Sequence, residues 1–135
     1  MPTNNFLYKI KIKSSPECTF CNAKDETVVH LFIECDWSRK LWGFLVNTVR
    51  QFLTNFALDD AKHILMGNPN QNETIVELLQ LLVKHYIYVC RNSGIKPSNR
   101  GLMSSLKNYQ SVEKQSAIKN NTMDQYFMKW NNINF

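Results

Sequence analysis

The sequence predicts a mainly α-helical fold: a small Cys-Cys-His-Cys (CCHC) knuckle packed on a bundle of about three long helices, with a short N-terminal extended arm. Three observations predict it. Apolar residues recur at helical spacing in long stretches opening near Asp36, Asn72 and Ser98. Three of the four cysteines and one of the three histidines crowd between residues 18 and 35. With 44% apolar and 12% aromatic residues, the chain can bury a core, which argues against wholesale disorder. Its 135 residues amount to one domain's worth. The expected organisation is residues 1–56 as knuckle plus first long helix and residues 57–135 as a helical body, packed as one unit.

Along the chain, Phe6, Tyr8, Ile10 and Ile12 alternate with Lys9, Lys11 and Lys13, the period of a strand with one buried face. A short strand or extended arm is expected there. Ser15-Pro16-Glu17-Cys18 opens the knuckle, Asn22-Ala23-Lys24-Asp25 turns it, and Glu26 to Cys35 reads as a short apolar helix. Asp36 is placed to cap a second helix, whose stripe is Trp37, Leu41, Phe44, Leu45, Val49 and Phe52. A connector from Ala57 to Gln71 contains the apolar patch Ile64-Leu65-Met66, ended by Gly67-Asn68-Pro69. The strongest helix is expected from Asn72 to about Ser93. Ile75, Leu78, Leu79, Leu82, Tyr86 and Val89 form its stripe, and Gly94 ends it. Ser98 can cap a last long helix lined by Leu102, Leu106, Tyr109, Val112 and Ile118. Phe127, Met128 and Trp130 should fold back on the body. Trp42, Phe44, Leu45, Leu79, Leu82 and Tyr86 are expected to be buried together, because two apolar stripes are stable only when covered.

The formal charge is +5, unevenly spread. Residues 1–70 carry eight basic against seven acidic residues, and residues 71–135 carry eight against four. A basic C-terminal half suits a polyanionic partner. No apolar run approaches the roughly 20 residues that span a bilayer, and the first residues lack the layout of a secretory signal. An intracellular setting, nuclear or cytoplasmic, follows as the expectation. There, thiols bind metal in preference to pairing.

The spacing Cys18-x2-Cys21-x8-His30-x4-Cys35 carries the chemistry. A two-residue gap lets one tight turn aim two thiolates at a single ion, and His30 and Cys35 can complete a tetrahedron from the following helix and its end. Three thiolates and one imidazole match the preference of Zn2+, and four protein ligands leave no open position, so the site is structural. Cys90 reads as a core thiol, and His63 and His85 are isolated. Asp59-Asp60 is the only adjacent aspartate pair, but a helix start before Ala61 explains it better than magnesium catalysis. No glycine-rich phosphate loop or nucleophilic triad can be assembled. The sequence reads as a non-enzyme.

Cys18-Thr19-Phe20-Cys21, then Asp25-Glu26-Thr27-Val28-Val29-His30-Leu31-Phe32-Ile33-Glu34-Cys35, then Leu41-Trp42, together resemble the zinc-binding domain that ends the reverse transcriptases of non-LTR (LINE-type) retrotransposons. Less specific similarity continues through Ile64-Leu65-Met66-Gly67, Lys84 to Arg91, Lys96-Pro97 and Lys129-Trp130, about residues 6–133 in all. The resemblance implies a tail segment that helps hold RNA and target DNA during target-primed reverse transcription. The polymerase's fingers and palm and any endonuclease are absent from these residues, so the chain looks like a detached tail of such an element's protein, or a host gene made from one.

Two function classes follow. In the first, the domain binds RNA, or DNA, without sequence preference. Lys9, Lys11, Lys13 and Lys24 beside the zinc, and Lys84, Arg91, Lys96, Arg100 and Lys107 on the body, would contact phosphates while aromatics stack on bases. Core packing is the expectation for Trp37 and Trp42. In the second, the helices are a structural module that docks on the polymerase body of a parent protein.

Overall fold

The structure, a computed structural model, describes residues 1–70 and 74–135. In chain order these residues form α1 (Asn4–Lys9), a π-turn (His30–Glu34), α2 (Asp36–Val49), α3 (Ala61–Met66), α4 (Thr74–Ser93), α5 (Asn99–Lys119) and α6 (Met123–Trp130). The mainly helical class and the three long helices α2, α4 and α5 are as expected. The anticipated helix start at Asn72 lies outside the described residues.

Two predicted helix ends hold in detail. Gly94 sits at φ 67°, its N–H donates to the Arg91 carbonyl, and the Ile95 N–H donates to the Cys90 carbonyl. That pair of bonds satisfies carbonyls the helix leaves open, and glycine takes the left-handed conformation without steric cost. The Ser98 hydroxyl accepts from the Gly101 N–H at 3.0 Å and so caps α5. Tyr86 of α4 braces this turn, since its hydroxyl accepts from the Ser98 N–H at 3.2 Å.

The bundle core lies where α2, α4 and α5 meet. Leu41, Leu45, Leu79, Val83, Ile87 and Leu102 are fully buried there, and Trp42, Leu82 and Leu106 nearly so. Trp42 and Leu82 are thus both covered, while Phe44 and Tyr86 are only half-buried. Trp130 of α6 folds back as expected, and Gln110 of α5 ties the terminus down by donating to the Ile133 carbonyl at 2.7 Å.

Several expectations fail for identifiable reasons. The N-terminal stretch is not extended. Asn4–Lys9 is helical, and Phe6, Tyr8, Ile10 and Ile12 are all exposed. Distant partners capture its first N–H groups: Asn4 donates to the Glu26 carboxylate at 2.9 Å and Asn5 to the Glu26 carbonyl at 3.2 Å. These contacts satisfy donors that a helix start leaves open, and local alternation cannot reveal them. The helix start expected before Ala61 is present as α3, capped by Asp60 through the His63 N–H, so the Ile64 patch of the connector is itself helical. Asp36 opens α2 as its first residue, behind Cys35, and Phe52 lies beyond its end, exposed. On α5, Val112 and Ile118 face solvent while Gln110 and Ala117 are buried, and Val89 of α4 is likewise exposed. Phe127 and Met128 are exposed on α6. No described helix is long and apolar enough to cross a membrane.

Candidate metal centre

The knuckle is built from backbone hydrogen bonds. Glu17 and Asp25 pair as an antiparallel bridge, flanked by the Cys18 N–H on the Lys24 carbonyl and the Glu26 N–H on the Pro16 carbonyl, each at 2.8 Å. Between them the chain turns tightly, with the Asn22 N–H on the Cys18 carbonyl at 3.0 Å and Asn22 at φ 54°. Asparagine is one of the few non-glycine residues that tolerates this conformation. The turn brings Cys18 and Cys21 to one side.

The second pair of ligands depends on the π-turn. In an α-helix, residues five apart stand about 140° apart around the axis, so His30 and Cys35 would point in different directions. Here the Cys35 N–H reaches back five residues to the His30 carbonyl at 2.7 Å, and the widened turn brings both side chains to the same place. The Thr27 hydroxyl accepts from the His30 N–H at 3.0 Å and fixes the start of the turn. Its far side is held by α2, where Ser38 donates to the Leu31 carbonyl and the Trp42 indole donates to the Phe32 carbonyl at 2.7 Å.

The result is a closed set of donors. One ligand atom from each of Cys18, Cys21, His30 and Cys35 lies within 4.8 Å of every other. The Cys18 and Cys35 sulfurs are 3.9 Å apart, and the Cys21 sulfur is 3.3 Å from His30 Nε2. Two thiolates on one tetrahedral zinc stand about 3.8 Å apart, given Zn–S bonds of about 2.3 Å. Cys18 and Cys35 are fully buried and His30 nearly so. Burial pushes the Cys18 thiol up to about 12, against N–H groups of Cys21 and Phe20, and raises Cys35 as well. Burial opposes ionisation at Cys21 too, but the N–H groups of Ala23 and Lys24 and the His30 ring outweigh it and bring that thiol down to about 6. Cys18, Cys21, His30 and Cys35 would hold a divalent cation, which would favour the thiolates over the remaining thiols, and the donor set is that of Zn2+.

Residues 1–42 match the family described as zinc-binding in reverse transcriptase. The match contains all four ligands and ends at Trp42, within α2. The resemblance read from Cys18 to Trp42 holds for this segment, and zinc is its metal. What the family model describes is a zinc-binding element and not a catalytic one. Searches of the curated proteins and of the solved structures found no match.

A polar cluster beside the metal was not visible in the sequence. Glu26 is fully buried. It accepts from the Thr19 hydroxyl at 2.6 Å and the Thr19 N–H at 2.9 Å, and Arg91 of α4 approaches it at 3.0 Å. Burial would raise the Glu26 carboxyl, but Thr19, the Asn4 N–H and Arg91 together hold it below the usual carboxylate range. Arg91 also donates to the Pro2 carbonyl and the Asn4 side chain. The only signal was the Glu26-Thr27 step before His30, which each residue now explains: Glu26 anchors the knuckle, and Thr27 starts the π-turn.

The proposed phosphate contacts are dispersed. Lys9, Lys11, Lys13 and Lys24 are exposed around the knuckle. Arg91 is committed to Glu26, and Lys84 donates to the Ile64 carbonyl at 2.6 Å. Lys96, Arg100 and Lys107 are exposed near the start of α5. Asp59 hydrogen-bonds Gln80 through both its N–H and its carboxylate, and Asp60 caps α3. Cys90 is buried in the core.

Proposed function

We propose that this chain is a zinc-stabilised tail module that binds RNA, and DNA by the same contacts, without sequence preference, and that it positions template or target beside a polymerase during target-primed reverse transcription. The match of residues 1–42 to a reverse-transcriptase zinc-binding family carries the reading. The charge distribution supports it, since Leu78 to Val112 contains five basic residues and no acidic one, and Lys96, Arg100 and Lys107 among them are exposed and outside the ion pairs of the described residues. On this reading the module works inside the cell and performs no polymerase or nuclease chemistry of its own. Neutralising each phosphate of a single strand contributes a slope of about −0.7 in log affinity against log salt. Binding of a radiolabelled RNA by the zinc-loaded protein should therefore weaken steeply as salt rises. Affinity indifferent to salt would overturn the proposal.

A second reading is favoured by one surface. Phe52, Phe127 and Met128 are exposed, and Met128 lines with Phe52, Leu53, Phe56 and Ile75 a hollow of about 500 Å3. Such a patch suits docking on the body of a larger protein.

A further inference from the structure

Resting on the nucleic-acid reading above, we infer that the strand is held in a shallow groove between α2 and the start of α5, where Trp37 stacks on an unpaired base and Lys40, Lys96, Arg100 and Lys107 bind the flanking phosphates. The occupant is single-stranded nucleic acid.

The groove has a floor of one kind and walls of another. Trp37 and Phe44, seven residues apart on α2, share one face of the helix and are half-buried. The Lys96 ammonium lies 5.0 Å from the Trp37 ring and that of Lys40 lies 5.5 Å from it. Farther along, Phe44 lines a hollow of about 370 Å3 with Arg100, Met103 and Lys107. Arg100, Met103 and Lys107 fall at helical spacing on one face of α5. α2, α5 and the loop before α5 that carries Lys96 thus present an aromatic and apolar base bordered by four cations over about two helical turns, roughly 10 Å.

Charge complementarity selects the occupant. Lys40, Lys96, Arg100 and Lys107 are all exposed, and none has an acidic partner among the ion pairs of the described residues. The acidic residue of α2, Asp36, lies 4.0 Å from Arg39. Cations over an indole at an exposed site are weakly held, so both lysine heads can swing to phosphates while a base takes their place on the ring. A duplex hides its base faces within the stack, whereas a single strand presents both bases and backbone. Core packing was the expectation for Trp37, and its ring does pack against the core while staying only half-buried; with Trp42 6% and Trp130 1% exposed, Trp37 is the most accessible of the three tryptophans.

That asymmetry provides the test. Titrating the zinc-loaded protein with oligouridylate at low salt should quench tryptophan fluorescence, and the quench should vanish in Trp37→Phe, which retains an aromatic ring for folding. Trp37→Ala should weaken binding at least about fivefold, the lower end of what a stacked base contributes. Reversing Lys96, Arg100 and Lys107 to Glu should weaken it at least about tenfold, while the same reversal of Lys9, Lys11 and Lys13 changes it less. Salt-dependent binding with no Trp37 quench, or lost on reversing Lys9, Lys11 and Lys13 alone, would overturn the groove and leave the functional reading standing. Duplex RNA bound as tightly as the single strand, or equal competition by polyglutamate, would overturn the assigned occupant. Absence of any salt-dependent binding would remove both.

Discussion

The knuckle and the α4–α5 pair reach order by opposite means. In residues 1–35 the large apolar side chains Phe6, Tyr8, Ile10, Ile12, Val28 and Val29 are exposed, and only Phe20 and Leu31 are fully buried among the larger ones. Order there comes from a bridge, a π-turn, the buried Glu26 and four ligands converging on one ion. In α4 and α5, Leu79, Val83, Ile87, Leu102 and Leu106 are buried and shed water along two long stripes. One region is specified by donor geometry, the other by apolar area, and each should fail under its own perturbation.

Removing a ligand should have the largest effect. Structural zinc contributes about 10–16 kcal/mol of binding free energy in small peptides, and the knuckle has little apolar core to replace it. Cys21→Ser should lose the single zinc equivalent per chain, and amides of residues 15–35 should lose hydrogen-exchange protection while α4 and α5 stay helical. Equal zinc content in variant and wild type would refute the four-ligand assignment. Complete loss of helicity would show that the two regions are not separately specified.

Next comes the link between them. Taking one member from a buried ion pair costs about 3–5 kcal/mol, because the other is left uncompensated. Glu26→Gln should therefore destabilise the protein by about that much in a urea titration. The pH dependence has a definite sign. The carboxyl is depressed in the folded state relative to about 4.3 unfolded. Its contribution is fully present above the unfolded value and is lost as pH falls through the lower, folded value. Glu26→Gln should flatten the acid limb of the stability profile below about pH 4, and an unchanged acid limb would show that the carboxylate is not the coupling group.

A core truncation should sharpen the contrast from the other side. Leu79 is fully buried at the heart of α4, and Leu→Ala changes at such positions cost about 2–5 kcal/mol. Leu79→Ala should lower the urea midpoint by a corresponding amount while the zinc content stays at one. Zinc loss in this variant would mean that the body holds the site together.

What the sequence revealed follows the same division. The ligand set was legible because its residue types are scarce and their spacing is short. The stripes of α2, α4 and α5 were legible because helical period is a local property. Sequence patterns failed where a distant partner decides. Phe6 to Ile12 alternates like a strand, yet Glu26, far along the chain, supplies the caps that make it start as a helix. Arg91 read as a free cation on a basic helix, yet it faces that same carboxylate across 65 residues. Val112 and Ile118 read as core because they are apolar, yet the face of α5 that packs runs through Leu102, Leu106, Gln110 and Ala117, and these two side chains fall off it.

The smallest predicted effect compares two helix caps. Ser98 accepts from the Gly101 N–H at 3.0 Å at the head of the 21-residue α5, where among the described residues no other side chain accepts from the N–H groups of Asn99, Arg100 or Gly101. Thr3 accepts from the Phe6 N–H at a longer 3.4 Å, while Glu26 takes the Asn4 and Asn5 N–H groups of the same turn. Losing a Ser or Thr cap costs typically about 1 kcal/mol, and a cap that shares the turn with a carboxylate has less to lose. Ser98→Ala should therefore destabilise by about 1 kcal/mol and Thr3→Ala by about half of that, both measured by urea unfolding of the zinc-loaded protein. Thr3→Ala costing more than Ser98→Ala would mean that α1 depends on its local cap after all, and that Glu26 does not start this helix.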